Sequence, residues 1–333
     1  MRVTRLIAAT LLVVLPAAAV YGGGRLLLSE PTSASGRTPP VVQAEPGPGQ
    51  TVETDVSPSP ASPPVLPPAP AVPVVVQAPK VPVWEKAPAL EAAVAKAMDG
   101  FSGRYSVVVH DLKSGQRWMR GEQDRFHPAS TIKMPVTLYA VELHRLGKLG
   151  WGDAIQYTQA DFESPGGGAF ETSPFGGWYP VENLVGRALR YSNNVAVNML
   201  GRHLGWESIR AFTRSIDGEL YREPDGSPSV TALSELGWWL YLEKLSREDP
   251  VFAEKMLQPL REVAYDGRIA AGLPDGVKYL HKFGSYAGYY HDGGWVMGEK
   301  PYLLVVMTAG GTEEEADTAI ASVSAEVYKV MSK

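Results

Sequence analysis

Ser130 and Lys133 stand three positions apart in the segment HPASTIKMPV, residues 127–136. On a helix that spacing puts two side chains on one face. A serine hydroxyl is a weak nucleophile until a base takes its proton. A lysine can be that base once burial or nearby cations depress its pKa. Backbone N–H groups at a helix start supply donors for a developing oxyanion. A single Ser-x-x-Lys also arises by chance in a chain of 333 residues, so the pair alone equally describes an exposed helix face.

Two further stretches bear on that choice. YSNNVAVNML, residues 191–200, sets Ser192, Asn193 and Asn194 at the start of a helical pattern. Ser and Asn also cap helices with no chemistry attached. YLHKFGSY, residues 279–286, carries Lys282, Phe283, Gly284 and Ser285 in a strand pattern. Such a run can equally be a charged strand with a bulge-forming glycine. The separations are 192 − 130 = 62 and 282 − 192 = 90 positions. In this order the three form the S-x-x-K, S-x-N, K-x-G set of acyl-serine enzymes.

The surrounding elements follow from periodicity. Residues 87–100 have helical apolar spacing and a terminal glycine. YSVVVHDL and QRWMR flank KSG and read as a hairpin. A helix is expected over 130–147, with the Ser130 motif in its first turn and Gly147 at its end. Helical segments are expected near 181–190, 192–203, 206–215 and 230–246. Three strands then precede a helix over 313–331. Strands at both ends of the domain must pair in one antiparallel sheet. The terminal helices cover it, and the central helices form a second, all-helical lobe. A cleft between such lobes is a natural place for chemistry.

At these residues the chain resembles the penicillin-recognising serine hydrolases, and within them the class A β-lactamases and their close relatives. The flanks PFGGWYPVENLVGRALRYSNN and HKFGSYAGYYHDGGWVMGEKPYLLVVMTAG are similar to that family's approach to its second motif and to its last strands. The resemblance covers about residues 90–333. It implies an α/β (α+β) fold of the β-lactamase/transpeptidase type, with a five-stranded antiparallel sheet. It also implies roles. Ser130 attacks a carbonyl, Lys133 accepts its proton, and Ser192 relays a proton to the leaving nitrogen. Lys282 places positive charge beside Ser192. Asn194 binds the substrate's side-chain amide, and Gly284 lets a flat substrate approach the strand. The N–H groups of Ser130 and Ser285 form the oxyanion hole.

Three departures from the family pattern stand out. Asn193 replaces the usual Asp. Phe283 replaces a Thr or Ser whose hydroxyl binds the substrate carboxylate, which Ser285 can replace in part. The segment DGELYREPDGSPSVTALSEL lacks the E-x-x-L-N that supplies a deacylating glutamate in class A enzymes. Glu223 is the nearest candidate for that task, with Glu219 behind it, and both read equally as surface loop charges. The resemblance leaves a β-lactam or a peptidoglycan stem peptide as substrate. A D,D-peptidase with slow deacylation is the alternative enzyme, and a cell-wall binding or sensing module is the non-enzymatic one.

Composition narrows the classes. The formal net charge of −5 argues against nucleic acid as a partner. With no cysteine there is no disulfide, thiolate metal site or cysteine nucleophile. The six histidines show no H-x-H or H-E-x-x-H spacing, so neither metal nor other cofactor is expected. Gly166-Gly167-Gly168 lacks the Lys-Ser/Thr of a phosphate loop and reads as a flexible loop. The HD pairs at 110 and 291 read as structural residues at strand ends. Residues 1–30 have early arginines, an apolar run and Ala17-Ala18-Ala19. They are expected to be an export signal, or else an uncleaved membrane anchor through residues 6–28. Fifteen of the 28 prolines lie in residues 31–82, which read as an extended spacer. The folded domain, 83–333, is expected to be extracytoplasmic and monomeric.

Overall fold

The computed structural model describes residues 84–333. The expected signal and spacer, 1–30 and 31–82, lie outside the described residues. In chain order the first elements are α1 (Ala87–Ala97), β1 (Arg104–Asp111) and β2 (Arg117–Arg120). A short 3₁₀ turn, Ala129–Ile132, leads into α2 (Lys133–Arg145). Next come β3 (Ala154–Gln156), β4 (Trp178–Pro180), α3 (Val181–Arg190), α4 (Asn194–Leu204) and α5 (Trp206–Ser215). The hairpin β5 (Tyr221–Arg222) and β6 (Pro228–Ser229) precedes α6 (Ala232–Glu248) and α7 (Pro250–Leu260). The chain ends with β7 (Tyr279–Tyr286), β8 (Tyr289–Val296), β9 (Tyr302–Ala309) and α8 (Glu313–Met331).

The main sheet has five strands in the order β2-β1-β9-β8-β7, each pair antiparallel. The join between the two ends of the domain is the pairing of β1 with β9, Arg104 opposite Ala309 through Asp111 opposite Tyr302. These strands read as continuous apolar runs because both faces are covered. On one face α1 and α8 pack over Val107, Val109, Leu304 and Val306. On the other, Val108, Leu303, Val305 and Met307 join the core of the helical lobe. Trp238 and Trp239 on α6 are fully buried: Trp239 lies against Gly293 of β8, and Trp238 donates to the Gly218 carbonyl after α5. Among the described residues no helix is long and apolar enough to cross a membrane.

Two local expectations change. Ser130 lies in the 3₁₀ turn ahead of α2, not in the first α-helical turn, and Lys133 is the first residue of α2. Pro135 has no N–H to donate toward the carbonyl of Thr131, consistent with tighter winding there. His291 and Asp292 are also not at a strand end. They sit in the middle of β8 and are fully buried.

Candidate active site

The site forms where the Ser130 turn, the start of α4 and the edge strand β7 meet. Ala129 enters the turn at φ 48°, a left-handed conformation that costs a non-glycine residue energy. Lys133 Nζ donates to Ser130 Oγ at 2.8 Å and to Asn194 Oδ1 at 2.7 Å. The lysine is 3% exposed, and burial pulls its ammonium down to about 8 against an opposing pull from the Glu163 carboxylate. A lysine so poised can hold or release a proton near neutral pH.

Ser192 also has a left-handed backbone, φ 53°, and its Oγ accepts from Lys282 Nζ at 3.1 Å. Lys282 is fully buried. Burial first, and the nearby Lys133 charge second, hold its ammonium well below the usual lysine range. Its Nζ also donates to the Phe283 carbonyl at 2.7 Å and lies 4.2 Å from the Phe283 ring centroid. The Phe283 ring thus covers the ammonium instead of presenting a hydroxyl.

Asn193 is the N-cap of α4. Its Oδ1 accepts from the Ala196 N–H at 2.8 Å, while its Nδ2 donates to the Gly167 carbonyl at 2.6 Å. A carboxylate could make the first bond but not the second, which accounts for Asn at this position. The glycine run is therefore no free loop. Gly166 stands at φ 113°, and a Cβ on it would lie 2.4 Å from Asn194 Nδ2. Its carbonyl accepts from the Asn194 N–H. The Glu171 carboxylate gathers the N–H groups of Gly166, Gly167 and Gly168 at 3.0, 3.0 and 3.2 Å.

Gly284 serves a nearer neighbour than a substrate. A Cβ there would lie 2.8 Å from the Ser130 backbone N and 3.1 Å from the Thr131 N. The bare strand lets the Ser130 turn pack against β7. The Ser285 hydroxyl is likewise engaged, accepting from Arg268 Nη2 at 2.7 Å and donating to Glu313 at 2.6 Å. It is not free to replace the hydroxyl missing at Phe283. Glu223, on β5–β6, is bonded to Arg125 and to the Ser229 hydroxyl. Among the described residues no hydrogen bond joins it to Ser130, Lys133 or Asn194.

Several groups at the site escaped the sequence reading. Glu163 accepts from Asn194 Nδ2 at 2.7 Å and from Asn198 Nδ2 at 3.1 Å, so it is one side chain removed from Lys133. The i, i+4 spacing of Asn194 and Asn198 was the available signal. Arg268 is fully buried behind β7 and donates to the carbonyls of Gly284 and His291, both at 2.8 Å. Asp317 and Glu313 pair with it. Glu235 on α6 is fully buried with neither carboxyl oxygen hydrogen-bonded, and burial pushes its pKa up to about 8. It is neutral at pH 7 and spares the site a buried, unpaired anion.

Residues 89–331 match the model of the Beta-lactamase enzyme family. A β-lactamase of Rhodobacter capsulatus is 31% identical over 129 residues. That match spans 38% of this chain and only 43% of the relative. Among solved structures, PBP-A, as a point mutant in an acyl-enzyme complex with penicillin G, superposes with a TM-score of 0.67 at 18% identity. The match covers 73% of this chain and 95% of that one. A β-lactamase from Sphaerobacter thermophilus superposes with a TM-score of 0.66 at 22% identity, covering 74% and 97%. A variant of the class A β-lactamase of the last common ancestor of Gram-negative bacteria gives 0.64 at 25% identity, covering 72% and 97%. The five-stranded sheet, the helical lobe and the matched family model together place the chain: it belongs to the β-lactamase enzyme family, with the fold of the class A members.

Proposed function

We propose that this domain is an exported acyl-serine hydrolase that opens a β-lactam, or the cell-wall peptide carbonyl that a β-lactam resembles. The observation that carries the reading is the 2.8 Å contact between Lys133 Nζ and Ser130 Oγ, made by a buried lysine whose pKa lies near 8. Neutral Lys133 takes the Ser130 proton as Oγ attacks the carbonyl carbon. The N–H groups of Ser130 and Ser285 receive the oxyanion, a contribution of about 3 kcal/mol per donor in other serine hydrolases. The C–N bond then breaks, and Ser192 passes its hydroxyl proton to the leaving nitrogen while taking one from the Lys282 ammonium that donates to it; the proton that Lys133 took from Ser130 restores Lys282. Water finally releases the acyl group from Ser130.

A second reading, a D,D-peptidase that releases a penicilloyl group slowly, draws support from Glu223. Its engagement by Arg125 and Ser229 leaves the last step without the carboxylate expected for it. One experiment separates the readings. The purified domain is mixed with a chromogenic cephalosporin and with a fluorescent penicillin, and intact mass is followed over time. A rapid cycle of adduct and free enzyme supports hydrolysis of β-lactams. A long-lived adduct on Ser130 supports the peptidase. Absence of an adduct, or one that persists in Ser130→Ala, refutes both. Export is part of the proposal, motivated by residues 1–30 and the proline-rich 31–82. Fractionating cells that express the full chain tests it.

A further inference from the structure

Two histidines in series hold the residues just before Ser130. His291, fully buried in the middle of β8, has its Nδ1 3.2 Å from the Thr308 N and its Nε2 2.8 Å from the His127 carbonyl oxygen. A backbone N–H can only donate and a carbonyl can only accept, so Nδ1 is the acceptor and Nε2 carries the proton. Burial pulls the His291 pKa down to about 4, which keeps this neutral form at pH 7. The same argument fixes the tautomer of His127. Its Nδ1 lies 3.1 Å from the Ala129 N and must accept from that N–H, which leaves the proton on Nε2. Ala129 is the left-handed residue, φ 48°, that presents Ser130. On the far side of the turn, the Pro128 carbonyl accepts from the Thr131 N–H at 3.1 Å and from its hydroxyl at 2.8 Å. The strained residue is thus fixed by His127 from one side and by Thr131 from the other.

We propose that His127 is a positioning residue for acylation: its imidazole, as acceptor for the Ala129 N–H, holds the turn that aims the Ser130 hydroxyl and N–H. The inference rests on the acyl-serine reading above, whose nucleophile and oxyanion donor it concerns. A left-handed alanine is strained and persists only where its surroundings over-determine it. Only an unprotonated Nδ1 can supply that hold. An imidazolium donates at both nitrogens, so it would set one N–H against the Ala129 N–H and release the turn. His127 is half-buried, and burial holds its pKa below the ordinary 6.5. Its ring stacks on Tyr286 of β7 at 4.5 Å and lies 5.9 Å from Tyr289 of β8. Arg125, two positions earlier, pairs with Glu223. Arg268, which donates to the His291 carbonyl, pairs with Glu313 and Asp317. Acylation therefore needs His127 neutral as well as Lys133 neutral.

The test compares the wild type with His127→Asn and His127→Ala. An asparagine here offers its Oδ1 to the N–H two residues on, as in an Asx turn, and does not titrate. Both variants lose the ring that packs on Tyr286 and Tyr289, so their thermal melts should fall alike. Acylation of Ser130 by a fluorescent penicillin at about pH 7.5 should slow by about tenfold in His127→Ala, the order expected for a displaced nucleophile, and recover to within about threefold of the wild type in His127→Asn. The pH–rate profile adds a second readout, with circular dichroism at each pH as a folding control. Between about pH 8 and 6.5 the logarithm of the rate should fall with a slope of one in both the wild type and His127→Asn, from Lys133. As pH falls further, the slope should approach two in the wild type and stay at one in His127→Asn. Long-range nitrogen–proton NMR spectra of the wild type should show the Nε2–H tautomer at His127 and His291. A proton on Nδ1 of His127, wild-type acylation in His127→Ala, an asparagine variant as slow as the alanine one, or one low-pH slope shared by wild type and His127→Asn overturns the inference and leaves the acyl-serine reading intact. No adduct on Ser130 in the wild type overturns the acyl-serine reading, and this inference falls with it.

Discussion

Replacing Gly284 with alanine tests whether β7 and the Ser130 turn are built as one unit. The added Cβ would lie 2.8 Å from the Ser130 N, 3.0 Å from the Ala129 Cβ and 3.1 Å from the Thr131 N. Ordinary contact begins near 3.4 Å, so the turn must retreat by about 3.4 − 2.8 = 0.6 Å. Two of the three obstructing atoms are backbone, so no rotamer change relieves the clash. Overpacking of this kind costs about 2 kcal/mol. For a domain of this size that lowers Tm by about 4–8 °C. A misplacement of about 1 Å can cost about 10²-fold in rate, so 0.6 Å should slow acylation by about 10-fold. Stopped-flow mixing with a fluorescent penicillin measures the rate, and a thermal melt measures the stability. Gly152→Ala is the control, because nothing lies within 4 Å of a Cβ there. Wild-type acylation and Tm in Gly284→Ala would refute the proposed packing.

The remaining predictions concern titration and capping. The acylation rate should rise about tenfold per pH unit below pH 8 and level off above it, because burial lowers Lys133 to about 8 and only its neutral form accepts the serine proton. A pH–rate profile from pH 6 to 9.5 checks this, and a flat profile contradicts it. Asn193→Asp should cost about 1–3 kcal/mol by leaving the Gly167 carbonyl without its donor, read as a lower urea midpoint with the α4 cap intact. Glu235 keeps its proton up to about pH 8 when folded but loses it near the ordinary carboxylate pKa when unfolded. Its raised pKa therefore favours the folded state fully at low pH, and that contribution is lost as pH climbs from about 4.5 to 8, by ~5 kcal/mol at most. Glu235→Gln should remove that part of the slope when urea midpoints at pH 5 and pH 8 are compared.

The sequence by itself determined what depends on local geometry. Ser130 and Lys133 are three residues apart, so any tight helical winding brings them together. Asn193 caps α4 from the adjacent position. The apolar runs of β1 and β9 announced buried strands, and the order of motifs announced the family. The tertiary structure decided every contact that spans a long stretch of chain. Lys282 reaches Ser192 across 90 positions because β7 packs on the Ser130 turn while α4 packs on α2, which follows that turn. Glu223, nearer in sequence to the expected place of a site carboxylate, is drawn instead to Arg125, since pairing of Phe126 with Val230 sets the β5–β6 hairpin there. Glu163 joins the site from 31 residues before Asn194 because the glycine segment closes on α4. Arg268 shows no motif and acquires its neighbours only when β7, β8 and α8 come together. Side-chain spacing along one helix is set by covalent geometry, whereas a carboxylate's partner is set by where packing lets the backbone run.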